Sequence, residues 1–308
     1  MKIFPQKTGS TEKQRITLPA LFGKLRSKMQ ISPVNSEKLA KILIWSAALF
    51  VIGLLLFIII YIVAKGLPVI NFQFLTDIPR SMGREGGIAS TIVGTFMVTA
   101  LAIIIVIPFG IGTAFYLAEY TKEGIVTRII RFSAESLAGI PSIVYGLFGF
   151  IFFVIYLNLG WSILSGGLTL AFMILPTVIR TSEEAIRAVP KIYREVSFSL
   201  GATKWQTISR VVFPSALLGI VNGIILGVGR CVAETAAVIL TAGSVLRMPS
   251  SIFSSTRTMA VHFYILAREG ISMENAYGTA TLLIIMILLI NVVANAMVNR
   301  FIAKSVKR

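Results

Sequence analysis

Cysteine, histidine and aspartate each occur only once in this sequence of 308 residues. The single Cys231 excludes an internal disulfide, and its apolar surroundings favour a small packing residue. One histidine and one aspartate exclude a Ser-His-Asp triad and a His-Glu-x-x-His zinc site within the chain. Because His262 has no cluster of metal ligands beside it, we expect an interfacial or packing histidine rather than a ligand or proton relay.

The sequence also has no phosphate-binding loop of the form Gly-x-x-x-x-Gly-Lys-[Ser/Thr]. Its nearest fragment, Phe22-Gly23-Lys24-Leu25, lacks both the first glycine and the hydroxyl residue. Since no enzymatic constellation is visible, we predict that the chain is not an enzyme and binds no cofactor. If the protein drives uphill transport with ATP, the ATPase is a partner chain.

Charged residues are scarce, at 14% of the chain, whereas hydrophobic residues make up 56%. This balance is typical of a membrane protein and excludes an ordinary soluble core. A helix needs about 20 apolar residues to span a bilayer. Five charge-free runs reach about that length: Ile42 to Ala64, Gly86 to Ala118, Ser136 to Ile179, Val211 to Gly229 and Asn275 to Asn299.

The third of these runs is long enough for two spans. Turn-forming residues lie near its middle, in Asn158-Leu159-Gly160 and Ser165-Gly166-Gly167. We therefore predict six transmembrane helices.

Basic residues dominate the charges and give a formal net charge of +16. In a soluble protein this excess would suggest a nucleic-acid partner. Here, alternating the loops from a cytoplasmic N-terminus puts 22 of the 29 Lys and Arg residues inside. This bias follows the positive-inside rule. We therefore predict a multi-pass protein of a bacterial or archaeal cell (inner) membrane, with both termini cytoplasmic and no nucleic-acid partner.

The chain is predicted to have three parts. Residues 1–40 form a basic cytoplasmic tail, residues 41–65 a first transmembrane helix, and residues 85–303 a core of five further helices. The first helix is too long and uninterrupted for a cleaved signal, and its large apolar residues favour a lipid-facing position. Within the tail, Lys13 to Met29 fits either an amphipathic surface helix or a disordered segment near anionic lipid.

Small and hydroxyl residues recur from Gly86 to Tyr120. Small side chains let helices approach closely, so we expect this helix to pack centrally. Prolines in or beside the later spans predict kinks or helix boundaries, at Pro108, Pro141, Pro176 and Pro214. The external stretch 242–277 has the composition of one or two short interfacial helices.

A cytoplasmic loop at 180–214 separates the predicted fourth and fifth spans. Its pattern from Lys191 to Leu200 predicts a short amphipathic helix, which ends at Gly201 because glycine permits a sharp turn. Taken alone, the loop is also explained as a charged segment that ends in helix-stopping glycine and proline.

The same loop resembles the Glu-Ala-Ala loop of ABC importer permeases, which inserts into a groove on a separate ATPase. Glu195 and Gly201 hold the anchor positions of that motif, and Val211 and Pro214 close it. Val196-Ser197 and Phe213 depart from its usual residues but are similar in size. The resemblance implies that the ATPase-coupling residues are Arg194, Glu195, Gly201, Ala202, Lys204, Trp205 and Pro214.

Arg230 and Glu234 are four residues apart in the predicted fifth span, so we expect them on one helix face. A charge at membrane depth costs at least about 2.5 kcal/mol, and such residues normally face a cavity or a partner. The spacing fits two arrangements equally well. Arg230 contacts an oxyanion while Glu234 holds its guanidinium, or the two residues form an ion pair that bridges helices.

Two segments resemble phosphate-specific ABC permeases. Gly229 to Ala237 is similar to their Ala-Arg-x-x-Gly-Glu-Thr-Ala-Pro segment, and Leu137 to Leu147 resembles their third-helix motif. The likeness covers about residues 85 to 300, and the Thr-Ala after Glu234 favours the A-type subunit over its C-type sister. The resemblance implies a role in phosphate passage for Arg230 and Glu234. Arg180 is a weaker pathway candidate that also fits a snorkelling interface arginine.

The sequence therefore predicts an all-α integral membrane protein with the type I ABC importer permease fold. The resemblance implies the permease subunit of an ATP-driven inorganic phosphate importer. Its implied partners are a C-type sister permease, two ATPase subunits that bind ATP, and an external phosphate-binding protein. The alternatives are a permease for another oxyanion (phosphonate or molybdate), an ion-coupled secondary transporter and a non-transporting membrane scaffold.

Overall fold

The computed structural model describes residues 33–122 and 124–306. The chain divides into two compact units, Met1–Ile59 and Ile60–Arg308. The predicted alternatives for Lys13 to Met29 concern residues outside the described ranges.

The described residues form twelve α-helices with short connections. They are α1 Pro33–Gly66, α2 Phe72–Thr76, α3 Ala89–Phe115, α4 Ile125–Ala138, α5 Ser142–Gly149, α6 Ile163–Ala188, α7 Lys191–Ser199, α8 Lys204–Thr207, α9 Phe213–Ala233, α10 Ala236–Thr241, α11 Met259–Arg268 and α12 Met273–Val306. Three π-helical segments extend or join these helices. Tyr116–Tyr120 continues α3, Phe150–Tyr156 continues α5, and Ile208–Val212 joins α8 to α9.

Five helical runs in the described part of the chain are long and apolar enough to cross a membrane: Glu37–Val69, Ala89–Tyr120, Ile163–Ala188, Lys204–Ala233 and Met273–Ala296. A sixth span is present if the pair Ile125–Ala138 and Ser142–Tyr156, which meets at 99°, counts as one. The predicted third span therefore has a sharp bend. The bend lies at Gly139–Pro141, and Pro141 is the N-cap of α5.

Helix α1 begins at Pro33, earlier than the predicted residue 41. Every side chain from residue 37 to residue 61 is exposed. An apolar helix that is exposed all round is soluble only in lipid. The lipid-facing position of the first span stays a prediction.

Helix α6 occupies the centre of the second unit and packs on α3, α4, α5, α9 and α10. Small residues allow the close approach of its neighbours. A Cβ on Gly223 would lie 2.0 Å from Thr181 Oγ1, and one on Gly219 would lie 2.5 Å from Ala185 Cβ. Helix α3 packs on α6, and a Cβ on Gly110 of α3 would lie 3.1 Å from Val178 Cγ1 of α6. The expected central position of α3 is confirmed, with α6 at its side.

The connections between spans collect at two opposite ends of the helices. At one end, Ser162 N donates to Thr241 O (3.2 Å), Ile163 N to Ser254 O (3.0 Å), and Asn275 Nδ2 to Gly83 O (2.9 Å). These bonds gather segments 67–88, 157–162 and 242–272. At the other end, segment 189–203 contacts the end of the run from α3 through Arg194 and Glu119, and this segment belongs to the loop predicted to be cytoplasmic.

Two turn signals in the long third run have different outcomes. Asn158 (φ 53°) and Gly160 (φ 65°) adopt left-handed conformations and form the predicted turn. The prediction of a turn at Ser165-Gly166-Gly167 is wrong, because these residues lie inside α6. The helix begins earlier, where Ser162 caps it by accepting a hydrogen bond from Ser165 N (3.1 Å).

The loop predicted at 180–214 is shorter in the structure. Helix α6 continues to Ala188, and the helical run of the next span begins at Lys204 rather than near Val211. The charged residues predict a loop, but in the structure those on α6 pair with one another, as Arg180 and Glu184 do (3.0 Å). Pro214 lies inside the helical run, where the π-helical segment before it provides room for a ring without an N–H donor.

Candidate functional site

The fifth span breaks between Arg230 and Glu234, which corrects the prediction that both lie on one helix face. Helix α9 ends at Ala233, and Glu234 is extended (φ −73°, ψ 129°). Helix α10 begins two residues later, and Glu234 Oε1 accepts a hydrogen bond from Ala237 N (3.2 Å). The carboxylate therefore caps the N-terminus of α10, where the orphan N–H groups favour a negative charge.

Arg230 lies in the last turn of α9 and is half-buried. A cation is favoured there by the partial negative charge of the helix C-terminus. Its charge acts on Tyr145 of α5 and on its neighbour Cys231, so it lies close to these two side chains. Within residues 33–122 and 124–306, no ion pair includes Arg230 or Glu234. The arrangement in which these two residues satisfy each other is therefore absent from the described chain.

Arg180 lies within α6 and not at its end, two turns before Ala188. Its guanidinium is close to two carboxylates, Glu184 (3.0 Å) and Glu135 (3.4 Å). Glu135 belongs to the last turn of α4. The helix before the bend was not anticipated, and its contact with α6 places Glu135 beside Arg180. Arg180 and Glu135 thus tie α4 to α6.

The second candidate element is the helix–turn–helix at residues 191–207. Helix α7 runs from Lys191 to Ser199, as predicted, and the chain reverses at Gly201 in a left-handed conformation (φ 79°). Thr203 then caps α8 through a capping box with Gln206. The two helices are joined by a buried hydrogen bond between Ser197 Oγ and Thr207 Oγ1 (2.9 Å).

Arg194 anchors α7 to the spans. Its guanidinium pairs with Glu119 at 2.6 Å and donates to the carbonyls of Val189 (2.7 Å) and Ile186 (2.9 Å). The side chains of Arg194 and Glu119 are only 16% and 9% exposed. Arg194 therefore faces the protein, whereas the sequence placed it among residues that meet a partner. Glu119 was missed, although it is the first charge after the apolar run of α3.

The other predicted coupling residues have different positions around the turn. Glu195, Gly201 and Lys204 are exposed, and Lys204 Nζ lies 4.6 Å from the centroid of the Tyr120 ring. Trp205 is 69% exposed and lines a groove of about 620 Å³ between α3 and the run from α8 to α9. Ala202 is half-buried in the turn. Pro214 lies on the membrane-spanning part of the run.

A buried arginine at the opposite end was also missed by the sequence analysis. Arg257 is 4% exposed and lies beside His262, whose Nδ1 is 3.4 Å from Arg257 Nη1. Burial and the charge of Arg257 lower the pKa of His262 to about 4, so the imidazole is neutral near pH 7. The expectation of a packing histidine is confirmed. No sequence pattern marked Arg257, because a single arginine in a polar loop is common.

Comparison with known proteins identifies the family. The family model described as "binding-protein-dependent transport system inner membrane component" matches residues 106–307. The chain belongs to this family. As a family member it is an inner-membrane permease subunit of an ABC importer, which is not itself an enzyme. Membership implies a partner permease, an ATPase and a substrate-binding protein.

Several relatives are similar over most of the chain. A probable ABC transporter permease protein, YqgI of Bacillus subtilis, is 33% identical over 84% of this chain and 94% of its own length. The phosphate transport system permease protein PstA of Xylella fastidiosa is 34% identical over 78% and 84% of the two chains. PstA 1 of Mycobacterium tuberculosis is 36% identical over 72% of each chain.

Solved structures with little sequence identity share the fold. A bacterial alginate ABC transporter chain matches with a TM-score of 0.64 at 14% identity, over 87% of this chain and 96% of its own. A chain of the inward-facing MetNI methionine ABC transporter matches with a TM-score of 0.54 at 20% identity, over 70% and 94%. The predicted ABC importer permease fold is thus confirmed.

Removing either charge of the Arg194–Glu119 pair should destabilise the permease. Arg194→Gln leaves a buried carboxylate, and Glu119→Gln leaves a buried guanidinium, at a cost of about 3–5 kcal/mol each. The double variant should recover much of this loss, because no charge is then left unpaired. Thermal unfolding of the purified complex measures the three effects. Additive losses in the double variant would contradict an energetic coupling between the two residues.

Proposed function

We propose that this chain is a permease subunit of an ATP-driven inorganic phosphate importer, forming half of the translocation pathway. One observation carries the proposal: an arginine with no acidic partner in the described chain lies in the last turn of a run that is long and apolar enough to cross a membrane, next to the helix break. A charge in that position is costly unless it faces a cavity or binds a ligand. The relatives named phosphate transport permeases support phosphate as that ligand.

The helix break separates Arg230 from Glu234, and this separation suits a site through which an anion passes. The Arg230 guanidinium presents several N–H donors in a planar fork that matches phosphate oxygens. Glu234 is held at the start of α10 by its bond to Ala237 N and stays close enough for its charge to act on Cys231. A nearby carboxylate weakens anion binding, so the phosphate is able to leave.

The turn at Gly201 is the proposed docking site for the ATPase. Glu195, Lys204 and Trp205 are exposed around it, and Arg194 holds α7 rigidly to the spans. A rigid attachment is needed if closure of the ATPase is to move the permease between inward-facing and outward-facing states. Arg180 stays a weaker pathway candidate, because its two carboxylate neighbours already satisfy its charge.

The finer organisation is part of the same proposal. Both termini are cytoplasmic, residues 1–40 form a basic tail, and residues 85–303 form the permease core. A C-type sister permease completes the pathway, two ATPase subunits bind ATP, and an external binding protein delivers phosphate. Two observations support this orientation. The connections between spans lie at alternating ends of the helices, and basic residues are frequent in the terminal segments 1–40 and 300–308.

Uptake of radiolabelled phosphate into proteoliposomes that contain the whole complex tests the function. We expect uptake to require ATP inside the vesicles and the binding protein outside. Unlabelled phosphate should compete, whereas phosphonate and molybdate should not. Competition by either of these instead would assign another oxyanion. Uptake that continues without ATP and collapses with the ion gradient would assign a secondary transporter.

A further inference from the structure

A group of arginines, separate from Arg230, lines a cavity at the end opposite the Gly201 turn. The cavity has a volume of about 800 Å³ and lies between segment 80–84, α10 and the segment from Ser244 to Ile271. Three arginines, Arg84, Arg257 and Arg268, line it together with a single carboxylate, Glu269. The lining therefore has a net positive charge.

Arg257 is the buried member of this group. Its Nε donates to Ser244 O (2.9 Å) and its Nη1 to Met82 O (3.4 Å), with the neutral His262 on the same side. In the described ranges, its Nη2 has no hydrogen-bond partner, and this atom is not among those fully enclosed. No carboxylate pairs with Arg257 there, so a buried positive charge is left without compensation.

The backbone next to Arg257 is strained. Ser81 (φ 49°) and Met82 (φ 63°) are consecutive non-glycine residues in left-handed conformations. Each such residue costs on the order of 1 kcal/mol or more, and strain of this kind clusters at binding sites. Asn275 Nδ2 holds the turn by donating to the carbonyls of Gly83 and Arg84. This turn places the Met82 carbonyl oxygen where it accepts a hydrogen bond from Arg257.

Helix α10 connects the cavity to the break in the fifth span. Glu234 caps the start of α10, and Ile239 and Ser244 line the cavity at its other end. The six residues of α10 are about 9 Å long at 1.5 Å per residue. One end of α10 therefore lies close to Arg230 in the sequence, and its other end lies at the cavity that the three arginines line.

We infer that this cavity is a binding site for a small tetrahedral oxyanion such as inorganic phosphate, on the external side of the proposed pathway. The inference rests on the proposed function for its orientation and for its ligand. Arg257 contributes the free guanidinium edge. The exposed Arg84 and Arg268, which donate to Ile271 O and Tyr264 Oη, contribute charges at the rim. Glu269 keeps binding weak, which suits an anion that enters and moves on. The cavity is the place where a released anion is held before it reaches Arg230.

Equilibrium binding of radiolabelled phosphate to the purified complex, without the binding protein, tests this inference. All measurements use a complex that carries Arg230→Gln, so that the pathway contact does not contribute. We expect Arg257→Gln to weaken binding about tenfold or more, because charged hydrogen bonds are worth about 1.5–3 kcal/mol. Arg268→Gln removes a rim charge without disturbing the buried bonds and should also weaken binding. Arg247→Gln is the control, since Arg247 lies in the same segment but does not line the cavity.

The outcomes separate this site from the proposed function. Unchanged binding in both Arg257→Gln and Arg268→Gln would overturn the inference, even if uptake by the wild type is normal. Loss of all binding through Arg230→Gln alone would overturn it as well and would support the pathway role of Arg230. If the cavity variants change only the affinity for the binding protein, the arginines serve protein docking, and the oxyanion site is disproved.

Discussion

Arg230→Gln is expected to abolish phosphate uptake while the complex still assembles. Glutamine is polar and nearly as long, so α9 keeps its last turn, but the charge and the five-donor fork are lost. Because the described chain offers Arg230 no acidic partner, its removal leaves no unpaired carboxylate behind. Transport measured in proteoliposomes should fall at least a hundredfold, which corresponds to about 2.7 kcal/mol.

Three further variants separate charge from shape around Arg230. Arg230→Lys keeps the charge but not the fork and should retain partial uptake. Glu234→Gln keeps an oxygen that accepts from Ala237 N, so α10 stays capped while the negative charge is removed. Arg210→Gln, on the same helical run but exposed at the end near the Gly201 turn, is the matched control and should transport normally. Normal uptake by Arg230→Gln would refute the pathway role.

Gly201→Val is expected to release the ATPase from the permease. Gly201 has φ 79°, and a Cβ at this position would meet no atom within 4 Å. The cost is therefore conformational, because a β-branched residue strongly disfavours the left-handed region. The turn between α7 and α8 would rearrange and displace Glu195 and Trp205 from the docking surface. ATPase recovered with affinity-purified permease should drop to background.

Two matched substitutions test this explanation. Gly201→Asn adds a side chain of similar size that tolerates the left-handed region, so ATPase copurification should be retained. Gly270→Val introduces the same strain at φ 64°, also with no atom within 4 Å, but at the opposite end of the spans. It should leave ATPase binding intact. Full copurification with Gly201→Val would refute the proposed docking site, and loss with Gly270→Val would indicate general instability.

The sequence predicted the elements whose signals are local. Charge-free runs located the apolar spans, and the amphipathic helical pattern from Lys191 to Leu200 located α7, with its end at Gly201. Both signals are local, because a short segment by itself determines the length of an apolar run and the backbone conformation that glycine permits. The family resemblance of Glu195 and Gly201 followed from the same local pattern.

The features that the sequence did not predict depend on tertiary contacts. Nothing between Cys231 and Ala237 is glycine or proline, so a continuous helix was the natural expectation. The break is stabilised by Glu234 as a cap, and capping competes with helix continuation only in a specific environment. Likewise, the charges of Arg180 and Glu183 suggested a loop. In the structure both residues lie on α6, because charged residues of α4 and of α6 itself pair with them.

The helical run from Lys204 to Ala233 has a mechanical consequence. Its 30 residues form a rod of about 45 Å at 1.5 Å per residue. A tilt of about 5° around the end at Lys204 would displace the end at Ala233 by about 4 Å, more than the width of a water molecule. The turn at Gly201 lies at one end of this lever and Arg230 near the other. If the ATPase docks at the Gly201 turn and the anion binds at Arg230, as proposed, a small tilt of this run would move the anion contact by several ångströms without a relay of side chains between the two sites.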